Sequence, residues 1–370
     1  MVKFKPGDVI TECYPLIHCL NASSIGERCD YCFMKRWSLC AKFPNFHRSG
    51  LKKCSKCKSL HYCDAQCQVK DWHNVHKHEC KLFSDDLIRS KPLVLGNDCR
   101  RLFLRTLLIW KHYPKKMVEP HKTYNGERSF VQLMNHTQDI IAKSPTKLFS
   151  AYRMIHDFRE MGIIIDEKDF LHLFGQVNTN SFNILDVDLN SIGAGIYVAG
   201  SVFDHSCLPN SFPIFDGIKL QIRAVKEFDS EEEPPLFTYT DLKAPKEERQ
   251  ARLLEDYYFV CKCPRCEGSE ESSIDLVKLD KKFDDLINAK VWTAAFEIGM
   301  TSITHYKEVY PYPSPDLTVQ IARAVKIGHM IADSRYVPLL VKLRRDILVT
   351  HGEEHSLYRS LIGTNVPLEK

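Results

Sequence analysis

The sequence predicts an α+β fold that is organised around zinc sites and ends in a helical domain. Three observations predict it: paired cysteines in two parts of the chain, short β-rich runs between residues 192 and 240, and helical periodicity through residues 274–370. With 370 residues, the chain has room for two or three domains that each bury a core.

The composition is that of a globular protein. Hydrophobic residues make up 44% of the chain and charged residues 26%. No window approaches the roughly 18 consecutive apolar residues of a membrane span, and the start, MVKFKPGDVI, lacks the apolar core of a signal peptide. We therefore expect a protein of the nucleus and cytoplasm with no membrane partner. Because these compartments are reducing, the 15 cysteines are expected to bind metal rather than form disulfides.

The first element predicted is a turn followed by a strand at KPGDVI, residues 5–10. The next segment, residues 29–80, contains four pairs of metal-ligand residues. Two ligands separated by two residues can bind one ion from a single turn, and two such pairs complete a tetrahedral zinc site. The eight ligands are Cys29, Cys32, Cys54, Cys57, Cys63, Cys67, His76 and Cys80.

Two closed zinc sites leave no coordination position for a substrate, so this segment is expected to fold around metal and to bind partners. His73 and His78 are alternatives for the histidine ligand. We favour His76 because it lies one helical turn before Cys80.

This segment resembles the MYND zinc finger, including its C-Q-x-x-D-W stretch of Cys67, Gln68, Asp71 and Trp72. The resemblance implies proline-rich peptides as partners and two interleaved zinc sites. The first site would be formed by Cys29, Cys32, Cys63 and Cys67, and the second by Cys54, Cys57, His76 and Cys80.

Three amphipathic helices are predicted after the finger. Residues 97–113 have apolar residues at helical spacing behind an Asn or Asp cap. Residues 144–162 and 166–182 follow, and Gly162 ends the first of these two.

The strand region is predicted at residues 192–240, where GIYVAGSVF, FPIFDGIKLQIRAV and LFTYTD are divided by Gly, Pro and Asp. Pro245 then precedes a predicted helix over 246–259. The tail predicts an α-helical array, with helices near 276–289, 291–309, 317–333 and 336–350.

A second cysteine group, CKCPRC, supplies Cys261, Cys263 and Cys266, and a tetrahedral site needs a fourth ligand. The isolated Cys207, in FDHSCLPN at residues 203–210, is the candidate. A third zinc ion shared in this way would hold the Cys207 loop against a segment far later in the chain.

The FDHSCLPN stretch resembles the Asn-His-Ser-Cys-x-Pro-Asn motif of SET-domain lysine methyltransferases, and the finger before it identifies the chain as a member of the SET and MYND domain-containing (SMYD) family. Further matches are NSF at 180–182, GIY at 195–197, DYYFVCKCPRC at 256–266 and THGEEHSLY at 350–358. The resemblance implies a split SET β-fold with an inserted MYND finger, a post-SET zinc site and a TPR-like C-terminal helical domain. The expected divisions are the first SET part at 1–28, the finger at 29–80, a helical insert and SET core at 81–240, the post-SET segment at 241–270 and the helical domain at 271–370.

The resemblance also implies S-adenosylmethionine as cofactor beside three zinc ions, and a lysine of a histone or another protein as substrate. Methyl transfer to lysine is an in-line displacement, so the amine must be neutral and water excluded. Tyr239 would orient the amine and stabilise the sulfonium, and Phe182 and Tyr197 would line the lysine channel. The alternative interpretation of all three is packing in the core. The cofactor contacts implied are Asn180, Ser201, Asp204, His205, Tyr257 and Phe259.

Three departures from the family pattern weaken the expected hold on the cofactor. A Gly-x-Gly strand would precede KPGDVI, and the sequence starts too late to contain it. Asp204 stands where the family has Asn, which exchanges a donor and acceptor for a group that only accepts when ionised. Met134 stands where an acidic residue is usual. Pro234 and Pro235 also leave the register near Tyr239 open.

Two functions are therefore carried forward: a protein-lysine N-methyltransferase of chromatin or transcription regulation, and a SET-MYND scaffold with weak or no catalysis that recruits partners. A third function, direct binding of nucleic acid, is less favoured than these two. Residues 27–81 hold 12 lysine and arginine residues against 5 acidic ones, but zinc thiolates offset part of this charge and no recognition helix is evident. A monomer is expected.

Overall fold

The computed structural model describes residues 3–35, 50–85, 98–268, 275–310 and 312–362. Fourteen strands, several of only two residues, lie in these ranges. They are β1 Lys3–Phe4, β2 Val9–Cys13, β3 Ile17–Leu20, β4 Lys52–Lys53, β5 His61–Tyr62, β6 His121–Thr123, β7 Gly126–Arg128, β8 Ser181–Leu185, β9 Ser191–Ile196, β10 Asp204–His205, β11 Ser211–Asp216, β12 Lys219–Ala224, β13 Phe228–Asp229 and β14 Leu236–Phe237.

Fourteen α-helices lie in the same described ranges. They are α1 Ala65–Asp71, α2 Lys77–Phe83, α3 Asp98–His112, α4 Pro114–Val118, α5 Thr137–Lys143, α6 Pro145–Glu160, α7 Glu167–Asn180, α8 Lys246–Tyr257, α9 Pro264–Glu267, α10 Leu276–Asn288, α11 Trp292–Val309, α12 Pro315–Met330, α13 Tyr336–Thr350 and α14 Ser356–Ile362. A short π-helical segment, Trp72–His76, joins α1 to α2. None of the described helices has the length and apolar character needed to cross a bilayer.

Small antiparallel sheets form the strand region. Two of them have three strands, in the orders β3-β9-β8 and β11-β12-β2, so strands from the start of the chain complete sheets whose other strands follow residue 180. Strand β10 pairs in parallel with β14, which sets His205 beside Phe237. This short pairing places the FDHSCLPN stretch next to the segment that carries Tyr239.

The core divides into three clusters of buried side chains. The first joins the cysteine-rich region 29–80 to α3, α6 and α7. The second fills the C-terminal helical array, which we define as α10–α14, and includes the second cysteine group. The third lies between the strands around Phe203 and Phe237.

The α+β class and the helix positions agree with the sequence predictions. The four predicted tail helices correspond to α10–α13 and lie within a few residues of the expected bounds, whereas α14 was not predicted. Helix α6 ends as predicted near Gly162, which has a φ of +76° that favours glycine, and the Ile163 N–H bonds to the Phe158 carbonyl to close the helix end.

Three predictions about local structure are wrong. The run GIYVAGSVF is a strand only at Gly195 and Ile196, because Val198–Gly200 form a 3-10 turn. Helix α3 is not amphipathic, because residues 101–109 are all buried, including the arginines that pair with carboxylates of the finger region. The run LFTYTD is not a full strand, because pairing covers only Leu236 and Phe237. Pro234 and Pro235 precede these two residues, and neither has an N–H to extend a ladder.

Candidate functional site

Local turns position the ligands of the first zinc site. Asp64 caps α1 by accepting a hydrogen bond from the Cys67 N–H at 2.7 Å, which orients Cys67 toward the sulfur of Cys63 at 3.3 Å. The Cys32 and Cys63 sulfurs lie 3.8 Å apart. Tetrahedral zinc with Zn–S bonds of about 2.3 Å requires sulfur separations of about 3.8 Å. The ligand atoms of Cys29, Cys32, Cys63 and Cys67 all lie within 4.8 Å of one another.

The second site has the same geometry with one nitrogen ligand. The His76 Nε2 lies 3.4 Å from the Cys54 sulfur and 3.7 Å from the Cys57 sulfur, and the Cys54 and Cys80 sulfurs are 3.7 Å apart. The structure therefore groups Cys54, Cys57, His76 and Cys80. Of the two alternative histidines, His73 is exposed and His78 stacks on His112 instead.

A buried ionic network joins this second site to α3. The other nitrogen of His76, Nδ1, lies 3.2 Å from Glu79, and Glu79 accepts a hydrogen bond of 2.8 Å from Arg101. Although burial alone would raise the pKa of Glu79, Arg101 and Arg105 hold it well below its usual range. Such a carboxylate orients the histidine ring and increases its basicity toward a metal.

The same arginines continue from the finger region into the sheet. Arg101 also pairs with Asp30 at 2.9 Å. Arg105 pairs with Asp71 and donates a hydrogen bond to the carbonyl of His18 on β3. The network is completely buried, so the charges stabilise one another in a region without solvent. Sequence patterns gave no signal for it, because its members come from segments that are distant in the sequence.

The third cysteine group assembles from two distant segments. The Cys207 and Cys266 sulfurs are 3.5 Å apart, and all four ligand atoms of Cys207, Cys261, Cys263 and Cys266 lie within 4.8 Å. Arg249 on α8 lies 4.0 Å from the Cys266 sulfur, where a cation offsets the charge of a thiolate. The chemistry of these four sulfurs fits zinc.

His205 connects this group to Tyr239. Its Nδ1 accepts the Tyr239 backbone N–H at 2.9 Å, and its Nε2 lies 3.3 Å from the Cys207 sulfur. Because Nδ1 is an acceptor, Nε2 carries the proton and donates it toward the sulfur. Burial lowers the pKa of His205 to about 4, which keeps the ring neutral.

Tyr239 lies two residues beyond β14 and is fixed at both ends. Its hydroxyl donates a hydrogen bond of 2.5 Å to the Phe203 carbonyl, while its N–H is held by His205. Burial and the nearby Asp204 raise the pKa of Tyr239. The phenol therefore stays neutral, with a lone pair available to accept a proton or face a cation.

The two residues expected to line a lysine channel lie close to Tyr239 but differ in exposure. Phe182 is half-buried and contacts Phe237 with ring centroids 5.8 Å apart, and Phe237 in turn contacts Tyr239 at 5.4 Å. Tyr197 is fully buried behind Phe182 and donates its hydroxyl to the Ile218 carbonyl at 2.9 Å. Phe182 is thus the more accessible of the two rings.

The aromatic pair expected at the cofactor lies close to Tyr239 and His205. Tyr257 contacts Tyr239 with ring centroids 4.7 Å apart, and Phe259 contacts His205 at 5.8 Å. Both rings are half-buried. Burial raises the pKa of Tyr257 to about 12. Asp204 is exposed beside this group.

The side chains of the two remaining residues expected at the cofactor, Asn180 and Ser201, donate hydrogen bonds to backbone carbonyls. The Asn180 amide donates to the carbonyls of Met134 and Gln176, both at 2.7 Å. Ser201 donates to the Val198 carbonyl at 2.7 Å. Helix α7 approaches the Met134 segment so closely that a Cβ at Gly175 would lie 1.8 Å from the Asn135 carbonyl oxygen, which requires glycine there.

An acidic cleft that sequence analysis missed lies next to the residues that flank Tyr239. It has a volume of about 420 Å³ and is lined by Thr238 and Thr240, which flank Tyr239, and by α10 and α12 of the helical array. Its charged lining residues are Asp188, Asp241, Lys243, Asp280, Asp284, Asp316 and Arg323. Five carboxylates against two cations make the cleft negative. They come from distant segments, so no local motif marks them.

Comparisons with known proteins agree with these features. The family model of the MYND finger matches residues 18–80. N-lysine methyltransferase SMYD2 of Bos taurus is 28% identical over 327 residues, which cover 86% of this chain and 68% of that protein. The proteins of the same name in Homo sapiens, 28% identical over 322 residues, and in Mus musculus, 29% identical over 329 residues, have the same coverage.

Proposed function

The chain belongs to the SET and MYND domain-containing family, and on that premise we propose that it is a protein-lysine N-methyltransferase that uses S-adenosylmethionine. The observation that carries the proposal is the position of Tyr239, which is held between His205 and Phe203 among aromatic rings, while its neighbours Thr238 and Thr240 line an acidic cleft. Histones and other lysine-containing proteins are the proposed substrates, and chromatin or transcription regulation in the nucleus and cytoplasm is the proposed role.

The residues around Tyr239 fit the cofactor. The half-buried rings of Tyr257 and Phe259 offer an aromatic surface for an adenine ring. The exposed carboxylate of Asp204 can pair with an ammonium group. When bound, S-adenosylmethionine supplies an electrophilic methyl group on a sulfonium centre.

The chain's own residues contribute orientation and exclusion of water. The Tyr239 hydroxyl donates its proton to the Phe203 carbonyl, so the oxygen is left to accept a hydrogen bond from a substrate amine. Phe182, Phe237 and Tyr239 form apolar walls. Such surroundings favour the neutral amine over the ammonium of a lysine, whose ordinary pKa is about 10.4.

The acidic cleft supports a protein substrate with basic character. Its carboxylates come from the strand region and from the helical array, as Asp188 before β9 and Asp284 on α10 illustrate. A segment that carries lysine would be attracted by this charge before its side chain reaches Tyr239. The zinc finger is the proposed site for proline-rich partners, apart from the cleft.

The second candidate function, a scaffold with weak or no catalysis, is favoured by one observation. Asp204 presents a carboxylate where the family has an amide, and it lies close enough to Tyr239 to raise the pKa of that phenol. A cofactor carboxylate near this position would be repelled.

The decisive experiment measures methyl transfer from labelled S-adenosylmethionine to a histone mixture. We expect transfer by the unmodified protein and its loss in Tyr239→Phe, by about a hundredfold or more if the hydroxyl acts as described. Tyr152→Phe, a change at an exposed helical tyrosine, is the matched control and should retain activity.

Titration with S-adenosylmethionine separates the two functions. If the unmodified protein binds S-adenosylmethionine saturably and transfers its methyl group, the chain is an enzyme. If Asp204→Asn then binds the cofactor more tightly, the carboxylate of Asp204 weakens the cofactor site. Binding that is undetectable in both proteins, while the zinc content is intact, supports the scaffold.

A further inference from the structure

The loop from Thr238 to Pro245 connects β14 to α8 and carries Tyr239. It is held at several points by different parts of the molecule. His205 holds the Tyr239 N–H. Arg265, from the third cysteine group, donates to the Leu242 carbonyl at 2.9 Å. These two contacts come from regions that the proposed function already uses.

A further contact comes from the C-terminal helical array. Lys243 of the loop pairs with Asp280 on α10 at 3.2 Å, and both side chains are largely buried, with 19% and 17% of their surfaces exposed. A buried ammonium is stable only with a partner, because desolvation disfavours its charge. The pairing therefore fixes the loop relative to α10.

Asp280 is itself fixed by three side chains of the array. Tyr306 on α11 and Gln320 on α12 each donate to its carboxylate at 2.6 Å, and Ser302 donates at 3.4 Å. Lys243 also lies over the Tyr306 ring, 5.9 Å from its centroid. The carboxylate is thus a junction of three helices, and its orientation does not depend on Lys243.

We propose that Asp280 is a positioning residue for Tyr239, which acts through Lys243 and makes the helical array part of the active site. The inference rests on the proposed function. Lys243 is four residues from Tyr239. The Thr238 hydroxyl donates to the Thr240 carbonyl at 2.7 Å and closes a turn around Tyr239, and the next residue, Asp241, accepts the Lys243 N–H at 2.9 Å. A shift of Lys243 is therefore transmitted to the tyrosine.

The test compares Asp280→Asn with Asp285→Asn. The second change removes the same charge from an exposed position on the same helix, outside the cleft. We expect kcat to fall about tenfold in Asp280→Asn, because small displacements of a reacting group carry such costs, and to stay unchanged in Asp285→Asn. Hydrogen exchange of residues 238–245 should accelerate only in Asp280→Asn.

Lys243→Met removes the other partner of the same ion pair. It replaces Asp280→Asn as the test variant if Asp280→Asn does not fold. If Asp280 acts through Lys243, the double variant should lose no more activity than Lys243→Met alone. Additive losses, or unchanged exchange of the loop in both single variants, would overturn the proposal. Should the unmodified protein show no methyl transfer, the proposed function fails, whereas the exchange measurement still decides whether Asp280 fixes the loop.

Discussion

At the scale of single residues, Glu79 links zinc chemistry to the rest of the fold. It lies between the ligand His76 and two arginines of α3, and each of these four side chains is buried. Buried charges of this kind are tolerated because each is paired with an oppositely charged neighbour and hydrogen-bonded to it. One carboxylate therefore serves two purposes, since it orients a metal ligand and docks the finger.

We predict that Glu79→Gln lowers the free energy of unfolding by about 3–5 kcal/mol, because it leaves Arg101 and Arg105 without part of their compensating charge. Chemical denaturation of the zinc-loaded protein measures the loss. Glu27→Gln, at an exposed position, is the control and should change stability little. A loss in Glu79→Gln no larger than in this control would contradict the role given to the network.

At the scale of elements, the third cysteine group joins β10 and its loop to the segment that contains α9. Four strands, β11–β14, and helix α8 separate Cys207 from the later cysteines in sequence, yet the Cys207 and Cys266 sulfurs lie 3.5 Å apart. Because His205 bonds to both Cys207 and the Tyr239 backbone, a metal in this group would also stabilise the loop that carries Tyr239.

Cys207→Ser should reduce the zinc content of the purified protein from three ions to two. Elemental analysis gives the number of zinc ions per molecule. The rate of methyl transfer should also fall, because His205 loses its sulfur partner. Cys13→Ser, which changes a cysteine outside the three groups, should keep three ions and full activity. Three ions in Cys207→Ser would show that this thiol is not a ligand.

At the scale of the whole molecule, the helical array packs against the strand region through hydrogen bonds to backbone carbonyls. His355 donates to the Phe215 carbonyl on β11 at 2.9 Å. Arg223 on β12 donates to the carbonyls of Leu348 and Val349, both at 3.1 Å. His351 lies beside His355, with ring centroids 4.7 Å apart.

This interface predicts a loss of stability in acid. Burial lowers the pKa of His351 and of His355, and His355 and Arg223 lower that of His351 further. Below the unfolded pKa of about 6.5, the unfolded chain binds protons that the folded protein does not, so the free energy of unfolding falls by up to about 1.4 kcal/mol per pH unit for each histidine.

Urea denaturation at several pH values between neutrality and mild acid measures this slope. His351→Asn should flatten it, whereas His156→Asn, at an exposed histidine, should leave it unchanged. An identical slope in the unmodified protein and His351→Asn would rule out titration of this interface.

The sequence by itself determined the local parts of this protein. Ligand spacings such as Cys29 to Cys32 and Cys261 to Cys266 define metal-binding turns, because a single turn brings such residues to one ion. The helices of the tail were predictable for a similar reason, since their apolar residues repeat with the helical period. The FDHSCLPN stretch was also recognisable as a continuous motif.

Only the tertiary structure decided how those parts combine. In the folded protein, Arg101 and Arg105 are buried although the periodicity of their helix predicts an amphipathic one. Strand β14 ends before Tyr239, and Lys243 pairs with Asp280. Each of these depends on side chains far apart in sequence, whose burial is favourable only when their partners arrive together. Local propensity carries no information about such partners, and so the acidic cleft and the anchoring of the tyrosine loop could not be predicted.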